Sequence, residues 1–554
     1  MKKLISGLLA VLMTAALAIP SAGAYSDIPA GSALSEEVWK AVDLGLMNGY
    51  SPDTFGYSDS VTRAQFVTVV GRMLGWFDAG QPAQAHITPQ MQVPQDISTT
   101  YWTAISAAAK YDAVDNTVPF RPNDAITRGE MAEILVRALG LKGTAAIAEK
   151  ESSLPFQDVT SGKGYVAVAY AIGLTNGTSA TTFSPAATAT RAQAAAMLVR
   201  IYEKINQSSG FVHGFYALSS YSQLSSASGM DAVSAGWSRM TWDGTTALLS
   251  TTGANNNEYY VPTGYSEVTD YMQSHQVPLH LSVFMDTGSG LKELLASAEG
   301  RSQAIAQIIN EVTVTYQTIG RNPYSGVTID FEGLRSGQKA DFTAFIQALA
   351  KELDKLGKSL YVCVSPALTG GGYYDGYDYR AIGDAADKVI LMAYDYESRD
   401  ASLYVGSCIR DNQTFAQSTQ NAPLGQVFWS LMAITDDTTG VRDPSKVLLG
   451  ISSKNVAWKV DENDCLISAK PVYLSNDAVW QYLQKALAGE AGTSMTEQYL
   501  IVSSDSGERY FIWREDPALT LRTAKLLGIT GISIWRLGTM PLYNGWSWQD
   551  LLHT

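Results

Sequence analysis

Two acidic side chains stand two residues apart at the end of an apolar run, Asp330 and Glu332 in Gly-Val-Thr-Ile-Asp-Phe-Glu. If this run is a β-strand, both side chains lie on one face, about 6–7 Å apart along it. Two carboxyls this close in a confined site cannot both ionise freely, so one pKa should rise. A raised pKa suits a general acid near neutral pH. The pair alone is weak evidence, because many strands end in acidic residues that only cap the next helix.

Short apolar segments alternate with amphipathic runs from residue 212 onward, which predicts a parallel (β/α)8 barrel of the TIM type. A doubly wound open sheet is the alternative, although no glycine-rich nucleotide turn supports it. The gap between the last two segments predicts an inserted α+β lobe at about 460–510. Catalytic residues of such barrels lie at the carboxyl ends of strands, where Asp330 and Glu332 would be. The predicted strands are 212–217, 239–242, 279–284, 326–331, 360–364, 389–393, 447–451 and 531–535.

Three strand ends together resemble glycoside hydrolase family 18 across nearly all of 212–554. The fourth strand ends in Asp330 and Glu332, the sixth in Ala-Tyr394-Asp395 and the eighth in Ile-Trp535. The likeness is strongest to the bacterial branch that includes spore-cortex and cell-wall N-acetylglucosaminidases. Segments 422–427 and 511–516 also resemble that branch.

The resemblance implies retaining catalysis in which the substrate's own 2-acetamido oxygen attacks the anomeric carbon. Glu332 would protonate the leaving oxygen and then deprotonate the incoming water. Asp330 would accept the acetamido N–H, and Tyr394 would hydrogen-bond to the acetamido oxygen. Asp395 would contact the same sugar or tune the acid.

Aromatic side chains near the same strand ends are candidate sugar-binding residues. Trp535 is predicted to form the apolar floor under a sugar ring, because an indole face packs well on pyranose C–H bonds. The alternative is a core aromatic residue of the barrel. Tyr216, at the end of the first strand, and Trp458, after the seventh, are weaker candidates.

The family motif is Asp-Gly-x-Asp-x-Asp-x-Glu, and this chain departs from it at two positions. Ser325 and Thr328 stand where the first two aspartates would be. Thr328 is nevertheless a candidate substrate-binding residue. It could still hydrogen-bond to Asp330, but it cannot share a proton as a carboxyl can. We therefore expect the rate or the pH optimum to differ from those of the family.

The N-terminal region repeats one pattern three times, at 25–80, 90–145 and 154–205. Each copy contains a Thr-Arg box with Gln or Glu three residues after the Thr, which predicts a capped helix start. The pattern resembles the S-layer homology domain and implies a mainly helical region that binds the secondary polymer of Gram-positive-type cell walls, often through a pyruvylated sugar. A guanidinium suits the ketal carboxylate, because it can donate two parallel bonds. The candidate polymer-binding residues are Arg63, Arg128, Arg191, Asp27, Asp96, Asp158, Trp39 and Trp102.

The third copy departs from the pattern, with Tyr165 in place of Trp and Ala194 in place of a larger apolar residue. Its groove therefore departs the most from the family pattern. The alternative for all three arginines is a solvated charge at a helix start.

Residues 1–24 are predicted to be a signal peptide cleaved after Ala24, since two lysines and an apolar run precede a small-residue site. A short membrane anchor is the alternative, but the apolar run is short for a span, and no later stretch could cross a bilayer. Residues 206–211 read as a linker. These features predict a secreted protein at the cell wall or S-layer of a Gram-positive-type bacterium.

The formal charge of -14 makes nucleic acid an unlikely partner, because phosphate binding needs a basic face. The three cysteines argue against a disulfide framework, and Cys363 is predicted to be a small core residue. No Cys/His spacing resembles a zinc site, so neither a metal nor another cofactor is expected.

Three functions remain open from the sequence. The first is an endo-β-N-acetylglucosaminidase acting on peptidoglycan, and the second is a surface-displayed chitinase. The third is a non-catalytic carbohydrate-binding surface-layer protein, which the presence of Glu332 disfavours.

Overall fold

The computed structural model describes residues 25–77, 86–151, 154–368, 375–408, 419–495, 499–504 and 506–540. The predicted signal peptide lies outside these residues. The chain divides into two compact units, residues 1–204 and 205–554.

The first unit is mainly helical, as the three-repeat pattern predicted. Each Thr of the Thr-Arg boxes caps a helix. For example, Thr62 Oγ1 accepts from the N–H of Gln65 at 3.2 Å, and the Gln65 side chain accepts from the N–H of Thr62 at 3.0 Å. Isolated β-bridges link the boxes of all three repeats: Ser60 with Thr190, Thr62 with Ala125, and Thr127 with Thr188. The helices are α1 (Ser35–Asp43), α2 (Arg63–Met73), α3 (Thr99–Lys110), α4 (Arg128–Ala138), α5 (Lys142–Glu151), α6 (Lys163–Ala171) and α7 (Arg191–Ile205).

The second unit is a closed barrel of eight parallel strands, which confirms the predicted TIM-type fold. Its strands are β1 (Val212–Tyr216), β2 (Ala232–Trp242), β4 (Leu279–Met285), β5 (Gly326–Phe331), β6 (Ser359–Val364), β7 (Lys388–Leu391), β8 (Val447–Ser452) and β14 (Gly531–Trp535). The barrel closes because β1 pairs in parallel with both β14 and β2. The helices of this unit are α8 (Tyr265–Ser274), α9 (Leu291–Ala296), α10 (Ala298–Glu311), α11 (Lys339–Asp354), α12 (Tyr379–Ala385), α13 (Leu424–Ile434), α14 (Asn476–Leu487) and α15 (Pro517–Leu526). None of the helices in the described ranges is both long and apolar enough to cross a membrane.

The second barrel strand begins seven residues earlier than predicted, at Ala232 instead of Arg239. Ala232 to Ala235 pair with β1, whereas 239–242 pair antiparallel with β3 (Ala247–Ser250) beyond a shift in register. The sequence concealed this strand because its barrel portion consists mostly of small residues, which have weak strand propensity but fit the barrel.

The inserted lobe is present and is slightly wider than predicted, spanning β9 to β13. A five-stranded antiparallel sheet in the order β10-β9-β13-β12-β11 carries helix α14. Trp458, Phe511 and Ile501 form part of its core. The strands are β9 (Asn455–Lys459), β10 (Val472–Leu474), β11 (Ser494–Met495), β12 (Tyr499–Ser503) and β13 (Arg509–Trp513).

The cysteine count argued against a disulfide framework, but one disulfide is present, because Cys408 and Cys465 are bonded across a sequence separation of 57 residues. A β-bridge sets the two backbones side by side, which counting cysteines cannot reveal. Cys363 is free and buried, as predicted.

Candidate active site

Asp330 of β5 and Glu332, which directly follows the strand, lie at the carboxyl end of the barrel. Asp330 is 4% exposed, and its Oδ1 atom is buried and accepts no hydrogen bond from the described residues. Glu332 is half-buried, and its backbone N–H donates to Met285 O at 2.9 Å. The hydroxyl of Tyr377 donates to Phe331 O at 2.7 Å, which fixes the strand end between the two acids.

Burial raises the pKa of both carboxyls. For Asp330 the pKa rises well above its ordinary value, first through burial and then through the charge of Glu332, while a hydrogen bond from Cys363 opposes the rise. For Glu332, burial comes first, followed by the carboxylates of Asp395 and Asp286. The pair therefore holds a proton at a higher pH than isolated carboxyls would, as a general acid requires.

Thr328 does not contact Asp330, contrary to the expectation, and it is fully buried, so it cannot touch substrate. Its hydroxyl lies 2.6 Å from Ser234 Oγ and 3.4 Å from His280 Nδ1. Ser234 in turn lies 2.8 Å from His213 Nε2. Burial lowers the pKa of both histidines to about 3, so this interior chain is neutral. Thr328 joins this hydrogen-bonded chain without adding a charge, whereas an aspartate at the same position would add one.

Tyr394 and Asp395 follow β7 at the same end of the barrel. Gly450 makes room for the tyrosine ring, because a Cβ there would lie 2.9 Å from Tyr394 Cε1. Burial raises the pKa of Tyr394, so its hydroxyl stays protonated and can donate. The Asp395 carboxylate is 2.9 Å from Lys454 Nζ, and Lys454 also lies 2.5 Å from Glu397 Oε1.

Asp395 adopts a left-handed backbone conformation (φ 61°), and Asn421 holds it there. Asn421 Oδ1 accepts the N–H of Asp395 at 3.1 Å, and Asn421 O accepts the N–H of Tyr396 at 3.0 Å. Glu515 Oε1 then accepts the N–H of Asn421 at 3.0 Å. Glu515 therefore positions Asp395 through Asn421. In the sequence, segment 511–516 resembled the family but gave no role for Glu515. That role follows from the tertiary structure.

Glu515→Gln is expected to flatten the pH dependence of barrel stability. Burial raises the pKa of Glu515 to about 7. Because the folded-state pKa is raised, the stabilisation is full below the unfolded pKa and is lost as pH rises through about 7. The melting temperature of the wild type should therefore fall relative to that of the variant between about pH 5 and 8. Parallel thermal melts would show this, and a constant difference across that range would contradict it.

Trp535 ends β14 beside a cavity of about 650 Å³. Its ring packs edge-on against Phe215, with centroids 5.0 Å apart. The cavity lies at the mouth of the barrel and extends along the inserted lobe. Its lining includes Asp395, Lys454, Tyr473, Asn476, Trp535 and Arg536.

Two weaker candidates are wrong as sugar-binding residues. Tyr216 is 2% exposed and packs against Trp237 in the layer outside the barrel, whereas its neighbour Phe215 faces the interior. Trp458 is fully buried in the lobe core, where its Nε1–H donates to Thr419 O at 2.9 Å. Tyr216 was assigned to the wrong face of its strand, because side chains alternate and Phe215 takes the interior position. Trp458 was not expected to belong to the core of the inserted lobe.

Besides the residues that support Asp395, several side chains of the site were missed in the sequence, among them Cys363, Glu397, Lys454 and Arg536. Lys454 and Arg536 follow the seventh and eighth strands, so a search for polar residues at every strand end would have found them. Cys363 was interpreted only as a core residue. Its place against Asp330 depends on the pairing of β5 with β6.

Each arginine of the repeat boxes contacts the loop of another repeat. Arg63 Nε donates to Phe120 O at 2.6 Å, and Arg128 Nε donates to Phe183 O at 2.9 Å. Arg191 Nε donates to Phe55 O at 3.0 Å, which returns to the first repeat. Each box arginine is therefore held by two repeats and does not belong to a single one.

The remaining guanidinium contacts differ among the three arginines. Arg63 Nη1 forms an ion pair with Glu130 at 2.6 Å. Arg191 is 5% exposed, and its Nη2 donates to Asn48 O at 2.6 Å. Arg128 Nη2 reaches only Thr175 Oγ1, at 3.4 Å. Of the three, Arg128 keeps the most capacity for an external anion.

The predicted aspartates and tryptophans occupy unequal positions. Asp27 accepts N–H bonds at 2.7 to 2.9 Å from residues 55–57, and Asp158 accepts two at 2.7 and 2.8 Å from residues 183 and 184. Asp96 is exposed, and the N–H of Phe120 donates to Met91 O instead. Trp39 is half-buried and stacks on Tyr25, and Trp102 is also half-buried.

Comparison with known proteins gives two family matches. The model of glycosyl hydrolases family 18 matches residues 205–539. The model of the S-layer homology domain matches residues 24–67, 95–132 and 155–195.

Individual relatives are distant. YdhD of Bacillus subtilis (strain 168), a candidate sporulation-specific glycosylase, is 22% identical over 275 residues, which cover 48% of this chain and 58% of YdhD. S-layer protein EA1 of Bacillus anthracis is 29% identical over 147 residues, 26% of this chain and 16% of that protein. The spore cortex-lytic enzyme SleL of Bacillus megaterium QM B1551 aligns with 17% identity and a TM-score of 0.44, covering 60% of this chain and 72% of SleL. The chain thus spans little more than half the length of YdhD.

Proposed function

Because the chain belongs to glycosyl hydrolases family 18, we propose that it is a secreted, wall-anchored glycosidase that cleaves β-linked N-acetylglucosamine glycans, with peptidoglycan as its main substrate. The observation that carries the proposal is the pair of buried Asp330 and half-buried Glu332, whose pKa values are both raised, at the mouth of the barrel. Tyr394 follows β7 and Trp535 ends β14, on either side of β8 at the same mouth.

The proposed reaction is substrate-assisted and retaining. Glu332 protonates the glycosidic oxygen while the acetamido oxygen attacks the anomeric carbon. Asp330 accepts the acetamido N–H through the Oδ1 atom that has no partner among the described residues, and its charge stabilises the oxazolinium cation. Glu332 then takes a proton from water, which opens the oxazolinium ring with overall retention.

The Asp395 loop supports the first step. After burial, the Asp395 carboxylate is the next cause of the raised pKa of Glu332, so the acid keeps its proton to a higher pH. Lys454 pairs with Asp395, and Glu515 fixes its backbone through Asn421. Trp535 supplies the apolar floor under the sugar ring.

The wall substrate is favoured by the S-layer homology domains that precede the barrel. They would bind the secondary polymer and keep the barrel beside peptidoglycan, and the segment 1–24 would direct export. Tethering raises the effective concentration of the glycan without any new contact in the active site.

The test compares peptidoglycan from several wall types with chitin oligomers, using mass spectrometry of the products. Release of fragments with N-acetylglucosamine at the reducing end from peptidoglycan supports the proposal. Chitin turnover far exceeding that of every wall glycan would identify a surface chitinase instead. Sugar binding without any hydrolysis would identify a carbohydrate-binding protein.

Arg128→Gln is expected to weaken binding to wall sheets by about tenfold, more than Arg63→Gln does. Arg63 forms an ion pair with Glu130, which it shares with Arg121, whereas Arg128 forms no ion pair among the described residues and is affected by the charge of Asp158 only at longer range. Co-sedimentation with purified walls measures the effect, with Arg200→Gln as a control that removes a surface charge near Glu37. A larger loss for Arg63→Gln would contradict the assignment.

A further inference from the structure

Among the described residues, Arg536 is the one arginine that lines the cavity beside Trp535, and it follows that residue directly in the chain. The side chain is half-buried, and its Nη1 donates to Ser219 Oγ at 2.6 Å. This bond anchors one edge of the guanidinium. The planar group carries five N–H donors in all, so one hydroxyl acceptor does not use its capacity.

The environment of Arg536 differs from that of three other half-buried arginines in the barrel unit. Arg239, Arg321 and Arg509 each form an ion pair with an aspartate at 2.7 to 3.2 Å. No carboxylate of the described residues pairs with Arg536. Burial lowers its pKa, which reflects the cost of removing the cation from water.

No described carboxylate that lines the cavity forms an ion pair with this cation. Asp395 and Glu397 both pair with Lys454 instead. Asp477 also lines the cavity, but it is exposed and forms no ion pair with described residues. A partly desolvated guanidinium therefore faces the space into which a glycan on Trp535 would extend.

We propose that Arg536 binds a carboxylate on the 3-O-lactyl arm of a muramyl residue, and so selects muramyl glycans over chitin. The inference rests on the proposed function and deepens it. A guanidinium and a carboxylate can form two parallel charge-assisted bonds, and chitin carries no carboxylate at all. The anion is either the lactyl carboxylate of a strand without peptides or the first free carboxylate of an attached peptide stem.

The test uses the full chain and four substrates of matched length. They are peptide-free muramyl strands, the same strands with the lactyl carboxylate converted to a methylamide, strands with intact stems, and chitin oligomers. For the wild type, kcat/KM on the free carboxylate should exceed that on the methylamide. Arg536→Gln should lower the preference for the free carboxylate, which is the quotient of the two kcat/KM values, by about tenfold, mainly through a higher KM on the carboxylate strands. Arg536→Lys should restore part of this preference. A preference for strands with intact stems that Arg536→Gln removes would assign the anion to the peptide.

Binding provides a readout that does not depend on catalysis. By calorimetry, the double variant Glu332→Gln/Arg536→Gln should bind the carboxylate strands about tenfold more weakly than Glu332→Gln does. Arg442→Gln is the matched control, because Arg442 is 67% exposed and pairs with Asp384. Two results would overturn the inference. One is an equal loss of affinity and of kcat/KM on all four substrates, and the other is no loss of either quantity on any substrate. Absence of hydrolysis with carboxylate-dependent binding intact would instead contradict the proposed function alone.

Discussion

Glu332→Gln is expected to lower kcat by about 10²- to 10⁴-fold, the usual contribution of a positioned general acid. The amide cannot protonate the leaving oxygen or take a proton from water, so both halves of the reaction lose their proton carrier. The size and hydrogen-bonding edges of the side chain are kept, so KM should change little. Initial rates on soluble glycan oligomers, measured across pH, give both constants.

A matched control separates this loss from damage to the fold. Glu293→Gln makes the same chemical change on the exposed surface of α9 and should leave both constants unchanged. Thermal melts of the two variants should agree with the wild type within a few degrees. If Glu332→Gln retained near wild-type kcat, the proton donor would have to be another group.

Asp330→Asn is expected to change activity and stability in opposite directions. Activity should fall by about 10²-fold or more, because the variant loses the negative charge that stabilises the oxazolinium cation. The melting temperature at neutral pH should rise. Burial and the Glu332 charge raise the pKa of Asp330, so ionising it in the folded protein is costly.

The pH dependence gives the sign of the stability effect. A carboxyl with a raised folded-state pKa stabilises fully below its unfolded pKa, and that contribution is lost as pH rises through the folded value. Asparagine stays neutral at every pH, so the excess melting temperature of the variant should be smallest near pH 5 and increase toward pH 8. A variant less stable than the wild type throughout that range would show that Asp330 is held as a favourable anion.

Local periodicity is why much of this site could be predicted from the sequence. Side chains alternate along a strand, so Asp330 and Glu332 had to share a face once β5 was recognised. Alternating strands and helices likewise predicted the barrel, and carboxyl-end placement brought Tyr394 and Trp535 to the same mouth. The Thr-Arg boxes predicted capped helices, because a cap depends on residues only three apart.

Contacts between segments that are distant in the chain could not be predicted from local periodicity. The face on which Tyr216 lies depends on how β1 pairs with β2 and β14, and the prediction was wrong by one residue of alternation. Trp458 looked available until β9 and β13 enclosed it. The disulfide likewise depends on a β-bridge between Cys408 and Cys465, far apart in the chain.

By itself, the sequence determined the acid pair, the barrel and the three repeats, because each is encoded in spacings of a few residues. Only the tertiary structure decided that Thr328 joins the interior chain of His213 and His280, that Glu515 supports Asp395 through Asn421, and that Arg536 lines the cavity beside Trp535. These contacts arise from strand register, barrel closure and the seating of the inserted lobe. Those depend on the packing of the whole unit, which no short stretch of sequence contains.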